Sequence, residues 1–335
     1  MMGEGPAVST PLTMADIWET YRSDLEEVED LVRRNLNSQV ELVNTVAAHI
    51  LSSGGKRIRP LLLLLCARLC GYTDREHLLL GSLVEYIHTA TLLHDDVVDD
   101  ADLRRGRQTA RKLWGNQISI LVGDYLYSKA MCKVVDFHNQ GINEVLSDAC
   151  WRMAEGEVLQ LDLNGNPDMT EAEYLRIVER KTGALIAAAC RMGAIIGCAS
   201  PERQAALFQF GQHIGVAFQL ADDTLDYSAN GDRLGKALGQ DFRQGKLTMP
   251  LLHLLRNCRE EDRLMIRDRM ETRTVAEPDL LRILHLMREC GSLTYAMERA
   301  RTFIDAANHD LAPFEDSPSK RALWVVADYL VSRDH

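Results

Sequence analysis

Proline is scarce in this sequence, with 9 residues in 335. The intervals from Pro60 to Pro167 and from Pro201 to Pro250 contain no interior proline, so long helices can run through them unbroken. Apolar residues recur there at spacings of three and four, while the two-residue alternation typical of strands is missing. The sequence therefore predicts an all-α fold.

Long polar linkers, paired CxxC cysteines and an early basic segment are also missing. Without a linker we expect one domain, a bundle of long helices over residues 13–335, after a flexible tail at residues 1–12. The eight scattered cysteines indicate reduced thiols in a cytoplasmic protein. The first basic residue is Arg22, which disfavours a targeting signal. The most apolar stretch, residues 183–199, contains Arg191, so no transmembrane segment is expected.

Negative charge exceeds positive charge, with 49 Asp and Glu against 38 Lys and Arg, a net charge of −11. This balance disfavours nucleic acid as a partner. Much of the excess lies in two similar acidic motifs. Their eight aspartates leave only −11 + 8 = −3 for the rest of the chain: Asp95, Asp96, Asp99, Asp100, Asp102, Asp222, Asp223 and Asp226.

Each acidic motif places its first and fifth residues about 40° apart on a helix, and therefore on one face. Asp95 shares a face with Asp99, and Asp222 with Asp226. Like charges this close need cations, and carboxylate oxygens favour Mg²⁺ or Mn²⁺. A solvated acidic face is the alternative interpretation, but apolar residues precede both motifs, which favours a cleft.

Other familiar motifs fit poorly. The run from Asp226 resembles the first half of an EF-hand loop, but Ala237 stands where the final glutamate belongs. His94-Asp95 could begin a metal phosphohydrolase site, yet further histidine ligands are lacking nearby. Neither a Walker loop nor GxGxxG occurs, so a nucleotide is not the obvious ligand.

Basic residues cluster in a few glycine-containing segments. Arginine forks and lysine ammonium groups are natural partners of phosphate oxygens, and Mg²⁺ can bridge phosphate to carboxylate. Surface ion pairs would explain several of these cations singly, but not why they accompany the carboxylates. The segments are Gly54–Pro60, Arg104–Arg107, Lys181–Gly183, Lys236 and Gly245-Lys246.

Seven motifs in order resemble the trans-isoprenyl diphosphate synthases, especially the bacterial long-chain enzymes of the octaprenyl type. They are GGKRIRP, LLHDDVVDDADLRRG, GDYL, EGEVLQL, KTGAL, FQLADDTLDY and GKALGQDFRQGKLTMP. The resemblance implies a helical bundle around a central cavity, usually a homodimer. It also implies 1'-4 head-to-tail condensation of isopentenyl diphosphate onto an allylic diphosphate with about three Mg²⁺ ions, giving a quinone side chain as in ubiquinone biosynthesis.

The resemblance also implies site roles. Asp95, Asp99 and Asp222 are the first choice of metal ligands, supported by Asp96, Asp223 and Asp226. Allylic diphosphate would contact Arg104, Lys181 and Lys236, and isopentenyl diphosphate would contact Lys56, Arg59, His88 and Arg105. Thr182 and Gln219 would stand beside the allylic cation as neutral dipoles, and with Lys181 and Lys236 they form the predicted catalytic set. No protein base is evident, and the departing pyrophosphate would take the final proton.

Product length is predicted from the residues before Asp95. Ile87, Ala90 and Thr91 would lie about 6–12 Å below the carboxylates as a tunnel for the growing chain. Aromatic floors of short-chain relatives are replaced here by the small Ala90 and Thr91, so we expect a product well beyond farnesyl. The resemblance implies about eight to ten isoprene units. Ordinary helix packing could also require small residues there. Candidate floor residues are Trp151 and Met153.

Alternatives to this function remain at this point. A shorter product of geranylgeranyl or farnesyl type is the first, and a terpene cyclase or a non-catalytic subunit is less favoured because both Asp motifs and the cations are present. Gly183, Phe242, Gln244 and Leu247 depart from the usual pattern of the family. Release of a long product would involve transient membrane contact.

Overall fold

The computed structural model describes residues 11–52, 54–228, 239–272 and 274–332. Helices dominate this part of the chain, and the predicted all-α class is confirmed. Lys236 and most of the predicted tail lie outside the described residues. The helices are α1 Met14–Thr20, α2 Arg22–Asn35, α3 Glu41–Leu51, α4 Ile58–Leu69, α5 Glu76–Val98, α6 Ala110–Trp114, α7 Asn116–Val135, α8 Gln140–Leu163, α9 Glu171–Val178, the π-helical turn Glu179–Gly183, α10 Ala184–Ile196, α11 Pro201–Leu225, α12 Gln240–Arg243, α13 Met249–Asn257, α14 Glu260–Thr272, α15 Glu277–Glu289, α16 Ser292–Asp310 and α17 Pro318–Val331.

Local sequence sets several of these helix boundaries. Thr13 and Thr170 form capping boxes with the acidic residue three positions later, which satisfies free amide groups at the helix start. Ser200 caps α11 and is followed by Pro201, whose missing N–H is harmless in the first turn. These signals start helices without help from the rest of the fold.

A two-stranded hairpin follows the first acidic motif and was not expected from the sequence. Strand β1, Leu103–Arg104, pairs antiparallel with β2, Arg107–Gln108. The connecting residues Arg105 and Gly106 both have positive φ, at 51° and 74°, as a tight primed hairpin turn requires. The hairpin therefore turns Arg104 and Arg105 back beside α5.

Helix α5 lies at the centre of the bundle and packs against α4, α7 and α10. Its apolar side chains join those of α7 and α8 in one buried cluster, while α4, α10 and α11 share another with α16 and α17. No helix in the described ranges has the length and apolar character needed to cross a membrane.

Glycines bring α11 unusually close to the π-helical turn and α10. A Cβ added to Gly215 would lie 2.7 Å from Cα of Gly183, and one added to Gly211 would lie 2.6 Å from Cα of Ala187. Only residues without a side chain allow this approach. It places Thr182 next to the last turns of α11, where the second acidic motif begins.

Candidate active site

Both acidic motifs lie where long helices end. Asp95 and Asp96 occupy the last turn of α5 and Asp99 caps it. Asp222 and Asp223 occupy the last turn of α11, which Asp226 caps. Carboxylates at a helix C-terminus face the negative end of the helix dipole. Each motif therefore needs positive charge or hydrogen-bond donors from elsewhere.

Cationic side chains partly compensate the negative charge of the first motif. Arg104 Nε donates to Asp96 Oδ1 over 2.8 Å, and Lys246 Nζ donates to Asp99 Oδ2 over 2.8 Å. Burial raises the pKa of Asp96, and Arg104 opposes that rise. The carboxylate of Asp95 makes no hydrogen bond or ion pair within the described ranges, and burial raises its pKa to about 6.

In the second motif, neutral groups donate hydrogen bonds to the carboxylates. Asp223 accepts hydrogen bonds from Tyr174 Oη at 2.5 Å and from Gln219 Nε2 at 2.7 Å, and burial raises its pKa to about 6. The carboxylate of Asp226 accepts the backbone N–H of Asp241 at 2.9 Å. Asp222 is exposed, and its carboxylate has no hydrogen-bond or ion-pair partner among the described residues.

Lys246 connects the two motifs, and sequence analysis did not include it among the site residues. Burial alone would lower the pKa of Lys246, but Asp99 and Asp241 raise it above its usual value. The backbone N–H of Lys246 also bonds to the carbonyl of Asp241. Gly245-Lys246 stood out in sequence only as another positive charge, because nothing local indicates contact with Asp99, 147 residues away.

The π-helical turn carries the next two predicted site residues. Thr182 Oγ1 donates to Gln219 Oε1 over 2.8 Å, so these two polar groups meet as expected. Lys181 Nζ lies 2.5 Å from Glu157 Oε2 and donates to Gln160 Oε1 over 2.9 Å. Lys181 also acts electrostatically on Asp95. A π-turn inside a helix is common at functional sites.

The structure brings together three of the residues predicted to contact isopentenyl diphosphate. Burial holds the pKa of His88 well below its usual range, and the nearby Arg59, Arg104 and Arg105 lower it further. Arg105 donates to the carbonyl of Gly54, and its guanidinium lies over Gly55. The fourth, Lys56, has its Nζ 5.0 Å from the ring centre of Tyr329 on α17.

Several acidic and basic neighbours have structural partners instead of a place in the site. Arg57 pairs with Glu85 at 2.6 Å and with Glu29 at 3.2 Å. The sequence analysis counted Asp100 and Asp102 with the metal clusters, but they pair with Arg111, and Lys112 lies 2.8 Å from Asp102. The metal-facing charge is therefore smaller than the eight aspartates suggested.

The predicted tunnel residues lie inside the bundle. Ile87 and Ala90 are buried in the cluster formed with α7 and α8, and Thr91 is half-buried. Met153 belongs to the same cluster, as expected of a floor residue. Trp151 does not, because its side chain is 60% exposed, and its assignment to the floor is wrong. Each residue of a helix is rotated by about 100° from the one before it, so Trp151 and Met153, two residues apart, lie on nearly opposite faces of α8.

The carboxylates fit a divalent cation that also takes ligands from substrate. Asp95 and Asp222 have unpaired hard oxygen donors within the described ranges, while Asp96 and Asp223 are held by their neighbours. No group of three or more metal-ligating side chains converges in the described part of the chain. Mg²⁺ suits this arrangement, because it normally keeps water and phosphate oxygens beside one or two carboxylates.

Comparisons with known proteins agree with this geometry. Residues 40–287 match the polyprenyl synthetase family model. Octaprenyl diphosphate synthase of Escherichia coli is 41% identical over 326 residues, covering 96% of this chain and 100% of that protein. The decaprenyl diphosphate synthase structure from Rhodobacter capsulatus has 40% identity and a TM-score of 0.91, covering 96% of this chain and 99% of that one.

A third similar protein is a polyprenyl synthase from Caulobacter crescentus in complex with calcium and isoprenyl diphosphate. It is 37% identical, with a TM-score of 0.91 over 95% of this chain and 97% of that chain. The fold and site thus define a prenyltransferase. This chain belongs to the polyprenyl synthetase family, and the resemblance noted in its sequence is confirmed.

Proposed function

We propose that the chain joins isopentenyl diphosphate head-to-tail to an allylic diphosphate and repeats this step to make a long all-trans product. One arrangement carries the proposal: Lys246 links the two acidic motifs, because its side chain donates to Asp99 and its backbone bonds to Asp241, whose N–H donates to Asp226. The hydrogen-bonded pair Thr182 and Gln219 completes it. The overall similarity to octaprenyl and decaprenyl diphosphate synthases supports a long product for a quinone side chain.

The cation would be held by Asp95, Asp99 and Asp222. The remaining carboxylates of the two motifs would orient these ligands through their own hydrogen bonds: Asp96, Asp223 and Asp226. Bound Mg²⁺ supplies positive charge that stabilises the departing pyrophosphate. Arg104 and Lys181, with Lys236 outside the described residues, would bind the same diphosphate through charged hydrogen bonds. Lys56, Arg59, His88 and Arg105 would bind isopentenyl diphosphate on the other side.

The chemistry starts with cleavage of the allylic C–O bond, whose electron pair leaves with pyrophosphate. The hydroxyl oxygen of Thr182 and the amide oxygen of Gln219 stabilise the resulting carbocation through their dipoles without forming an adduct. The double bond of isopentenyl diphosphate then attacks C1 of the cation, and pyrophosphate takes the proton lost from the new product.

Incubation with Mg²⁺, farnesyl diphosphate and labelled isopentenyl diphosphate tests this proposal. We expect a ladder of products ending near eight to ten isoprene units, resolved by chromatography. No incorporation would reject the prenyltransferase, whereas a ladder ending at geranylgeranyl diphosphate would reject only the long product.

The tunnel has its own test at Ala90, which is buried beneath Asp95. Ala90→Phe should block the growing chain and shift the ladder to shorter products. Ala90→Ser keeps the site small and serves as the matched control with an unchanged ladder. If Ala90→Phe makes the full-length product, the chain does not pass this residue.

We also propose a homodimer formed through the outer face of α7 and α8. Large apolar side chains are exposed there, including Leu121 at 62% and Trp151 at 60%, and buried apolar area drives association. Leu121→Arg should give monomers in sedimentation experiments. Leu264→Arg on α14, where the leucine is 59% exposed, is the control and should stay dimeric. An unchanged dimer in Leu121→Arg would exclude this face.

Cytoplasmic localisation is part of the same proposal, with transient membrane contact when product leaves. A chain of many isoprene units is too apolar to diffuse freely in water. Product release should therefore accelerate when phospholipid vesicles are added to the assay.

A further inference from the structure

Tyr174 is a buried residue of α9 that the proposed chemistry has not used. Its side chain is 4% exposed and packs in an apolar cluster with Val178 and Leu220. Its hydroxyl donates to Asp223 Oδ2 over 2.5 Å. Because an ionised carboxylate can only accept, the tyrosine proton points at Asp223.

The hydrogen bonds beyond Asp223 have a single consistent direction. An ionised carboxylate only accepts, so Gln219 must turn its nitrogen toward Asp223 Oδ1, at 2.7 Å. The amide oxygen of Gln219 then faces Thr182, whose hydroxyl donates to it over 2.8 Å. With its proton directed at Gln219, the hydroxyl of Thr182 can offer only its lone pairs to any other neighbour.

We propose that Tyr174 is a positioning residue that holds Asp223 in place and so keeps the oxygen end of the Gln219 amide toward Thr182, beside the proposed allylic cation. The inference rests on the proposed roles of Gln219 and Thr182. The reversed amide would present an NH₂ group, the positive end of its dipole, and would raise the energy of C–O ionisation.

Asp223 is well suited to transmit this effect because it is itself 6% exposed. Water cannot readily replace a lost partner at a buried carboxylate. Without the tyrosine hydroxyl, one oxygen of Asp223 loses its only side-chain donor among the described residues, and the carboxylate can rotate away from Gln219. Phenylalanine at this position would keep the packing of the ring.

Tyr174→Phe is therefore the central variant. We expect kcat to fall roughly tenfold, because dipoles beside the cation act in the transition state. The KM values for both diphosphates and the half-saturating Mg²⁺ concentration should stay within about twofold. A changed Mg²⁺ requirement with normal kcat would overturn the inference, because Tyr174 would then serve the metal site alone.

Tyr295→Phe provides a matched control. Tyr295 also donates its hydroxyl to a carboxylate, Glu171 Oε2 at 2.7 Å, but outside the acidic motifs. This variant should keep wild-type kcat. Thermal unfolding of both variants identifies any loss of fold, and an equal fall in kcat for both would overturn the inference.

A double-mutant cycle with Gln219→Leu separates this inference from the proposed function. If Tyr174 acts through Gln219, Tyr174→Phe should have little further effect on kcat in the Gln219→Leu background. Independent, multiplying effects would overturn the inference. If Gln219→Leu leaves kcat unchanged, the proposed role of Gln219 beside the cation is rejected. If Gln219→Leu lowers kcat but Tyr174→Phe does not, only the positioning role of Tyr174 is rejected.

Discussion

The two acidic motifs have the same sequence pattern at the ends of two long helices, yet they are held differently. In the first motif, Asp96 and Asp99 contact the cationic side chains Arg104 and Lys246. In the second, Asp223 contacts the neutral side chains Tyr174 and Gln219. Both solutions satisfy a carboxylate that the helix dipole disfavours, but only the first cancels its charge.

This difference indicates a division of labour. Neutral donors fix the direction of a carboxylate without placing a compensating charge in contact with it. Arg104 and Lys246 partly cancel the first motif, and we expect them to turn to phosphate oxygens when a diphosphate binds. We therefore expect the contacts of the first motif to change when substrate binds and those of the second motif to persist.

The largest expected effect tests what the two motifs share. Asp95→Asn and Asp222→Asn should each lower kcat by about 10³-fold or more, because each removes a metal-facing charge. Asp100→Asn is the control, since Asp100 belongs to the same segment but pairs with Arg111. Its kcat in the labelled isopentenyl diphosphate assay should be near normal. A comparable loss in Asp100→Asn would contradict the assignment of this aspartate to a structural ion pair.

A smaller effect, on the free energy of unfolding, distinguishes cationic from neutral partners of the carboxylates. Arg104→Leu leaves Asp96 buried without its cation and should cost about 2–3 kcal/mol of unfolding free energy, less than a fully buried pair because Arg104 is partly exposed. Tyr174→Phe removes one hydrogen bond, from a neutral donor to a buried carboxylate, and should cost about 1.5 kcal/mol. Urea unfolding of the metal-free proteins measures both. Greater destabilisation by Tyr174→Phe would reverse the comparison.

His77 is a buried titratable group whose ring nitrogens have neither a charged nor a neutral hydrogen-bond partner among the described residues. Burial lowers the pKa of His77 to about 4. The unfolded chain binds a proton near pH 6.5 and the folded chain does not, so stability should fall as pH drops from 6.5 toward 4.

The expected loss from His77 is about 1–2 kcal/mol between pH 7 and pH 5. His77→Phe should remove this part of the pH dependence, measured as the difference in urea unfolding between variant and wild type at each pH. His285→Phe is the control, because His285 is exposed on α15, and it should retain the acid sensitivity. Identical curves for wild type and His77→Phe would show that the buried imidazole does not set this dependence.

Local patterns in the sequence predicted much of the fold and part of the site. Absent prolines and the spacing of apolar residues indicated the helices, and the five-residue motifs placed their carboxylates on common helix faces. The family resemblance placed Thr182 and Gln219 beside the allylic cation, and the structure adds that the two side chains share a hydrogen bond. Trp151 was misplaced because spacing along a helix does not say which face turns inward.

The sequence by itself determined the helical class, the two acidic motifs and the membership of the family, because each is expressed in neighbouring residues or ordered motifs. Tertiary structure alone decided which partners the carboxylates have. Lys246 reaches Asp99 across 147 residues and Tyr174 reaches Asp223 across 49. Such contacts arise only when the packing of whole helices brings distant side chains within hydrogen-bond distance, so no local pattern encodes them.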